Sequence, residues 1–122
     1  MDERQLARLL NGGRIVIGAA SIVAPGFVGG RWYTNPGDSK GVNVATRAFG
    51  VRDLALGLGT VQALDAGEPA ARWMNMGILC DVVDAGATLL AGRHVGWKRA
   101  VPTLMVAAGA AALGALLAPG VD

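Results

Sequence analysis

Four apolar segments alternate along the chain with polar connections that contain glycine and proline, the longest of which covers residues 31–41. The segments predict α-helices over about residues 5–28, 44–64, 72–91 and 100–118. Each is close to the roughly 20 residues that a helix needs to cross the hydrocarbon core of a bilayer. Because short connections make sequential helices antiparallel, the pattern predicts one all-α domain over residues 1–122, an integral membrane four-helix bundle.

The composition favours the same interpretation. Charged residues make up 16% of the chain, whereas soluble domains usually carry about 25%. Glycine accounts for 19 of the 122 residues, and small residues let membrane helices approach each other closely. In the fourth segment Ala110, Gly114 and Ala118 recur every four residues, which predicts a face for close helix packing.

Charge and cysteine content narrow the chemistry further. A net charge of +2, spread along the chain, does not indicate a nucleic-acid partner. The single cysteine, Cys80, excludes an internal disulfide and a cysteine metal cluster. No cofactor motif is present, so no cofactor is expected. No cleavable signal stands apart from the first apolar segment, which is therefore expected to remain as an anchor.

Charged side chains occupy the middle of the second and third predicted helices, where a bilayer disfavours them. A rise of about 1.5 Å per residue places four of them within roughly 3 Å of the membrane midplane. These residues are Arg52, Asp53, Asp81 and Asp84. Insertion of each costs about 2.5–3.5 kcal/mol, so four unpaired ones would cost on the order of 10 kcal/mol. They must therefore pair, lie in a hydrated cavity or be neutralised.

The charge balance leaves two arrangements open. Arg52 alone leaves two of the three central aspartates without a cation. Arg14 of the first helix and Arg47, about two turns from the middle of the second, would balance the sum if both reach inward. If they do not, one aspartate is expected to hold a proton, since two close carboxylates in a low-dielectric site resist ionising together.

Two interpretations of the cluster follow, one structural and one functional. In the first, Arg–Asp pairs only fix the register of the helices. In the second they line a catalytic or conducting cavity, the usual role of ionisable residues inside a membrane. A catalytic site would use Asp81 or Asp84 as proton donor and its partner as base, with Arg52 steadying negative charge. The candidate catalytic residues are Asp53, Asp81, Asp84 and Arg52, and the candidate substrate-binding residues are Arg14 and Arg47.

Two further patterns have simpler explanations. The Asp81-x-x-Asp84 spacing could hold a divalent cation, but the nearby arginines disfavour this, and no metal is expected. Gly50, Gly57 and Gly59 could approach a phosphate in principle. In a membrane helix we expect them to be packing contacts instead.

Three motifs carry a resemblance. They are Gly13-Arg14 in the first helix, the run Arg-Ala-Phe-Gly-Val-Arg-Asp-x-x-x-Gly from Arg47 to Gly57, and Asp81 with Asp84 in the third. In these the chain resembles a family of short, four-helix membrane proteins common in actinobacteria and catalogued as a domain of unknown function. The likeness spans most of the chain. It implies a multi-pass protein of the bacterial inner membrane and implies no particular activity.

The leading hypothesis is a small membrane protein that binds a lipophilic small molecule or acts on it by acid–base chemistry. Isomerisation, cyclisation or epoxide opening would fit, because none of them needs a cofactor. The alternative is a non-catalytic accessory subunit of a larger membrane complex. Its fourth helix would be the docking face, and the Arg–Asp cluster would only hold the helices together. The expected partners are the lipid bilayer, a lipophilic molecule, and further copies of the chain or other subunits.

Overall fold

The computed structural model describes residues 2–32 and 39–122. Within these residues every regular element is helical, which confirms the all-α prediction. The α-helices are α1 (Glu3–Val23), α2 (Pro25–Trp32), α3 (Ser39–Asp65), α4 (Ala71–Val95) and α5 (Trp97–Leu117), and a short 3-10 helix (Ala118–Val121) follows α5.

The first predicted helix, over residues 5–28, is divided into two helices in the structure. α1 ends at Val23, and Ala24 leaves the helical conformation with φ −130° and ψ 62°. The break has a local cause, because Pro25 has no backbone N–H to donate and restricts the residue before it. Pro25 instead begins α2, since the first N–H of a helix has no partner within the helix to lose.

The other helices extend beyond their predicted limits. α3 starts at Ser39 rather than 44, α4 ends at Val95 rather than 91, and α5 starts at Trp97 rather than 100. Gly96 alone separates α4 from α5, and its φ of 88° lies in the region that favours glycine. Residues 33–38, the centre of the predicted long connection, lie outside the described residues.

Glycines bring α1 and α3 together at backbone distance. A Cβ on Gly18 would lie 2.6 Å from the carbonyl oxygen of Gly50, and one on Gly57 would lie 2.8 Å from a carbonyl oxygen of α1. Gly59 leaves room for the Trp73 ring of α4, which would lie 2.6 Å from a Cβ there. The prediction that the glycines of the second segment are packing contacts is confirmed.

The small-residue stripe of the fourth predicted helix faces inward. A Cβ on Gly114 would lie 3.0 Å from the Ile78 side chain of α4, and Ala118 is buried. Ala110 lines a cavity between the helices. Gly114 therefore lets α5 pack closely against α4, whereas Ala110 faces the cavity.

A core of small and apolar residues closes one end of the helices. Its members are Ala7, Ala63, Leu64, Ala70, Met74, Leu117, Ala118 and Val121. The Ala70 N–H donates to the Val121 carbonyl at 2.8 Å, which ties the 3-10 helix to the start of α4. The Arg4 guanidinium donates to the carbonyl oxygens of Leu64 and Glu68 at 3.2 and 3.4 Å. Arg4 thereby ties the start of α1 to the end of α3 and to the turn that follows it.

Two stretches of the described chain, Glu3–Val23 and Ala100–Val121, are long and apolar enough to cross a membrane by length and composition. α3 and α4 have 27 and 25 residues, so each is also long enough at about 1.5 Å per residue. Charged residues near their centres lower their mean hydropathy. The structure places those charges toward the neighbouring helices.

Candidate functional site

Arg14 joins three helices through one guanidinium group. From α1 its Nη1 donates to Asp53 Oδ1 on α3 at 3.2 Å and to Asp81 Oδ1 on α4 at 3.1 Å, while Nη2 donates to Asp81 Oδ2. Arg14 is 8% exposed and each aspartate 5% exposed. Buried charges of opposite sign are thus paired and hydrogen-bonded, which is the condition for burying them without a large cost.

Glycines give the Arg14 side chain its position. Gly77 lies on α4 one turn before Asp81, and a Cβ there would lie 3.1 Å from Arg14 Nη2. The guanidinium therefore rests against α4 at a point where the helix carries no side chain. Gly18, one turn beyond Arg14 on α1, holds the same region of α1 against α3. Small residues on two helices thus let one long side chain span the gap to α4.

A second ion pair lies beside the first and is more exposed. Arg52 on α3 donates through Nη1 to Asp84 Oδ1 at 3.1 Å and through Nη2 to Asp84 Oδ2. The two side chains are 32% and 28% exposed. Arg52 Nη2 also lies 4.0 Å from Asp53 Oδ1, which links the two ion pairs. The Arg52 guanidinium carbon is 5.0 Å from the centre of the Phe49 ring, a cation–π distance.

We name the five charged residues Arg14, Arg52, Asp53, Asp81 and Asp84 the polar cluster. It contains Arg14 and the four residues that the sequence predicts to lie at the same depth. Charged groups of the second and third predicted helices face each other in it, as expected for antiparallel neighbours. Arg47 is not part of it. Arg47 is exposed and donates through Nε to the Ile22 carbonyl at 3.3 Å. Five residues of an α-helix correspond to a rotation of about 140°, so Arg47 and Arg52 cannot share a face.

The polar cluster has an uneven charge balance. Two guanidinium groups face three carboxylates, so its formal charge is −1 when all five groups are ionised. Asp81 and Asp84 each accept two hydrogen bonds from one arginine. Asp53 accepts one, from Arg14. Among the three carboxylates Asp53 therefore receives the fewest hydrogen bonds from arginine.

A cavity of about 510 Å³ adjoins the polar cluster. Its walls come from α1, α3, α4 and α5, and its volume is within the range of about 300–1,000 Å³ that small-molecule sites occupy. Arg14, Asp53, Asp81 and Asp84 form the charged part of its wall. The apolar part includes Leu10, Ile17, Phe49, Val106, Ala107 and Ala110. The cavity thus joins a long apolar surface to a compact group of carboxylates.

Thr46 is a cavity residue that the sequence interpretation missed. It is 3% exposed and lines the cavity, and its Oγ1 has no hydrogen-bond partner. A signal was available, because Thr46 precedes Asp53 by seven residues and so lies on the same face of α3. However, Thr46 lies about two turns from the central charges, so nothing in the sequence placed it in the same site.

Within residues 2–32 and 39–122, no three His, Cys, Asp or Glu side chains are placed to share a metal ion. The carboxylates of the polar cluster are directed instead at guanidinium groups. Cys80, beside Asp81 on α4, is a free cysteine of intermediate exposure. The chemistry that this arrangement offers is therefore ion pairing, hydrogen bonding and proton exchange at carboxyl groups.

No family model, curated protein or solved structure matches the chain. The resemblance carried by the Gly-Arg, Arg-Asp and Asp-x-x-Asp motifs stays a prediction. The function must therefore be inferred from the geometry of the polar cluster and its cavity.

Proposed function

We propose that the protein is a multi-pass membrane protein whose cavity binds a lipophilic small molecule, with the bacterial inner membrane as its location. The observation that carries the proposal is the cavity of about 510 Å³, whose wall is mostly apolar and carries three carboxylates, one guanidinium and three threonines. Most ligand sites have this composition, since an apolar lining supplies affinity and a few polar groups fix orientation.

The distribution of side chains supports a bilayer as the surrounding solvent. Large apolar residues face outward, among them Val23, Leu90 and Leu116 with 82%, 83% and 75% exposure. Charged residues such as Asp53 and Asp81 are buried in their place. A soluble protein shows the reverse pattern. On α3 the outward residues Val44, Val51 and Leu58 recur every seven positions, on the face opposite to Asp53.

Accessibility to a water-soluble reagent tests the membrane assignment. In a Cys80→Ser background, Val51→Cys would place a thiol on the outward face of α3, near its middle. We expect this thiol to resist a charged maleimide in intact membranes and to react after SDS is added. Glu68→Cys, in the exposed turn between α3 and α4, is the control and should react in intact membranes. Equal reaction at both positions before SDS would place α3 in water.

The carboxylates suggest how the bound molecule could be acted upon. Acid–base chemistry needs a carboxyl group on the cavity wall that can gain and lose a proton. Asp53 fits this role better than Asp81 or Asp84, because it would lose only one hydrogen bond from arginine on taking a proton. The sequence predicted Asp81 or Asp84 as the proton donor, and we propose Asp53 for that role. Arg14 would remain beside it to stabilise negative charge.

Filling the cavity tests the binding function directly. Ala107 is 9% exposed and lines the cavity, whereas Ala108 is exposed and points away from it. The protein is purified in a mild detergent and examined by native mass spectrometry for bound small molecules. We expect a bound lipophilic species in the wild type and in Ala108→Trp, and its loss in Ala107→Trp. If all three proteins carry the same bound mass, or none does, the cavity is not the binding site.

The second function, an accessory subunit in which the polar cluster only holds the helices together, has one observation in its favour. Every carboxylate of the polar cluster is hydrogen-bonded to an arginine, as a purely structural network would require. However, Gly114 and Ala118 of the expected docking face are packed within the protein. Stoichiometric copurification of another subunit, together with an unoccupied cavity in the native mass spectrum, would favour this function.

A further inference from the structure

We propose that the ligand of the cavity is a lipophilic amine that carries a positive charge and a second, hydrogen-bonding group. This inference rests on the proposed binding function and names its ligand class. It depends on the charge of the cavity wall, on one buried hydroxyl group, and on the distance between that hydroxyl group and the carboxylates of the wall.

The charge of the wall selects a cation. Three carboxylates line the cavity, on Asp53, Asp81 and Asp84, against the single lining guanidinium of Arg14. With Arg52 included, the polar cluster is still one positive charge short. An ammonium group that binds at the cavity wall beside Asp84 would bring the sum to zero.

Asp84 is the carboxylate best placed to receive the ammonium group. Its side chain is 28% exposed, whereas those of Asp53 and Asp81 are each 7% exposed. Both of its oxygens accept from Arg52, and each carboxylate oxygen has a further lone pair for a second donor. An anionic head group would instead meet three like charges at this wall, which is unfavourable in a low-dielectric site.

Thr46 supplies the second polar contact. Its Oγ1 is buried without a hydrogen-bond partner in the cavity wall, and an unpaired buried hydroxyl group is costly. Thr46 lies seven residues from Asp53 on α3, about 10 Å along the helix axis. A ligand that bonds to Thr46 and to the carboxylates of the polar cluster therefore has two polar groups separated by an apolar body. The Phe49 ring lies between the two places on α3 and lines the cavity.

Rigid cage compounds of one size test the charge preference. Their affinities for the purified protein in detergent are measured by isothermal titration, with protein-free micelles as the blank. We expect 1-aminoadamantane, as its ammonium ion, to bind about tenfold more tightly than 1-adamantanol, and 1-adamantanecarboxylate more weakly than either. Asp84→Asn should remove the preference for the ammonium ion, so that 1-aminoadamantane and 1-adamantanol bind to this variant with similar affinities. Asp65→Asn, an exposed position paired with Arg8, is the control and should behave as the wild type.

The hydroxyl group is tested with 3-amino-1-adamantanol, which carries both polar groups on one cage. We expect it to bind about three- to tenfold more tightly than 1-aminoadamantane in the wild type, and equally in Thr46→Val.

The two levels of the proposal fail in different ways. If 1-adamantanol or the carboxylate binds as tightly as the ammonium ion, and Ala107→Trp abolishes that binding, the inference about charge is wrong and the cavity function stands. If no cage compound binds, or if Ala107→Trp changes nothing, the binding function itself is wrong.

Discussion

Replacing Arg14 should destabilise the protein more than any exposed charge change. In Arg14→Met, Asp53 and Asp81 lose the three hydrogen bonds that Arg14 donates to them. Their side chains are 7% exposed, so little water reaches them to replace the guanidinium. Removing one partner of a buried ion pair costs about 3–5 kcal/mol. Because two carboxylates lose their partner here, we expect a loss of about 5 kcal/mol in the free energy of unfolding.

That loss is large compared with the total stability of a domain, about 5–15 kcal/mol. Reversible unfolding by SDS in mixed micelles, followed by circular dichroism, measures it. The matched control is Arg8→Met, also on α1. Arg8 pairs with Asp65 at 2.7 Å, but the side chains are 46% and 61% exposed. Exposed pairs contribute about 0–1 kcal/mol, so this variant should unfold almost as the wild type does.

A third protein separates lost pairing from lost packing. The triple variant Arg14→Met, Asp53→Asn, Asp81→Asn has no unpaired buried charge, so it should regain part of the stability that Arg14→Met loses. The reasoning is refuted if Arg14→Met and Arg8→Met lose the same small amount. It is also refuted if the triple variant is less stable than Arg14→Met, because neutralising the two aspartates would then relieve no unpaired charge.

Two further predictions concern helix contact and the second ion pair. Gly50→Val would place its Cβ 2.7 Å from the Gly18 carbonyl oxygen, so it should separate α1 from α3 and yield little folded protein on size-exclusion chromatography. Gly86→Val meets no atom within 4 Å and should elute as the wild type does. Asp84→Asn should lower the free energy of unfolding less than Asp81→Asn, because Asp84 and its arginine partner are about one-third exposed. Equal losses in SDS unfolding would mean that burial does not set the strength of these pairs.

Local patterns explain which parts of the site could be read from the sequence. Helix periodicity and a constant rise per residue fix the depth of a side chain once the ends of a helix are known approximately. The prediction that Arg52 and Asp53 lie at the same depth as Asp81 and Asp84 required only the approximate centres of the two helices. Errors of up to five residues at the helix ends did not change it. The packing role of Gly50 was likewise readable, since small residues in apolar helices have few other uses.

Partner choice could not be read in this way. Arg14 and Arg47 were equal candidates by charge, and the rotation of α1 and α3 about their axes selected Arg14. The absence of a side chain at Gly77 then let Arg14 reach α4. Thr46 was missed because its hydroxyl group matters only where four helix faces leave a cavity between them.

The sequence by itself determined the helical class, the central position of the charges and the small residues that allow close packing, because each of these follows from spacing along one helix. The tertiary structure alone decided that Arg14 holds Asp53 and Asp81 while Arg52 holds Asp84, and that one carboxylate is left in excess beside a cavity. The physical reason is that an ion pair depends on distances of a few ångströms between different helices. Those distances are set by how far each helix is rotated and how closely its glycines let it approach its neighbours.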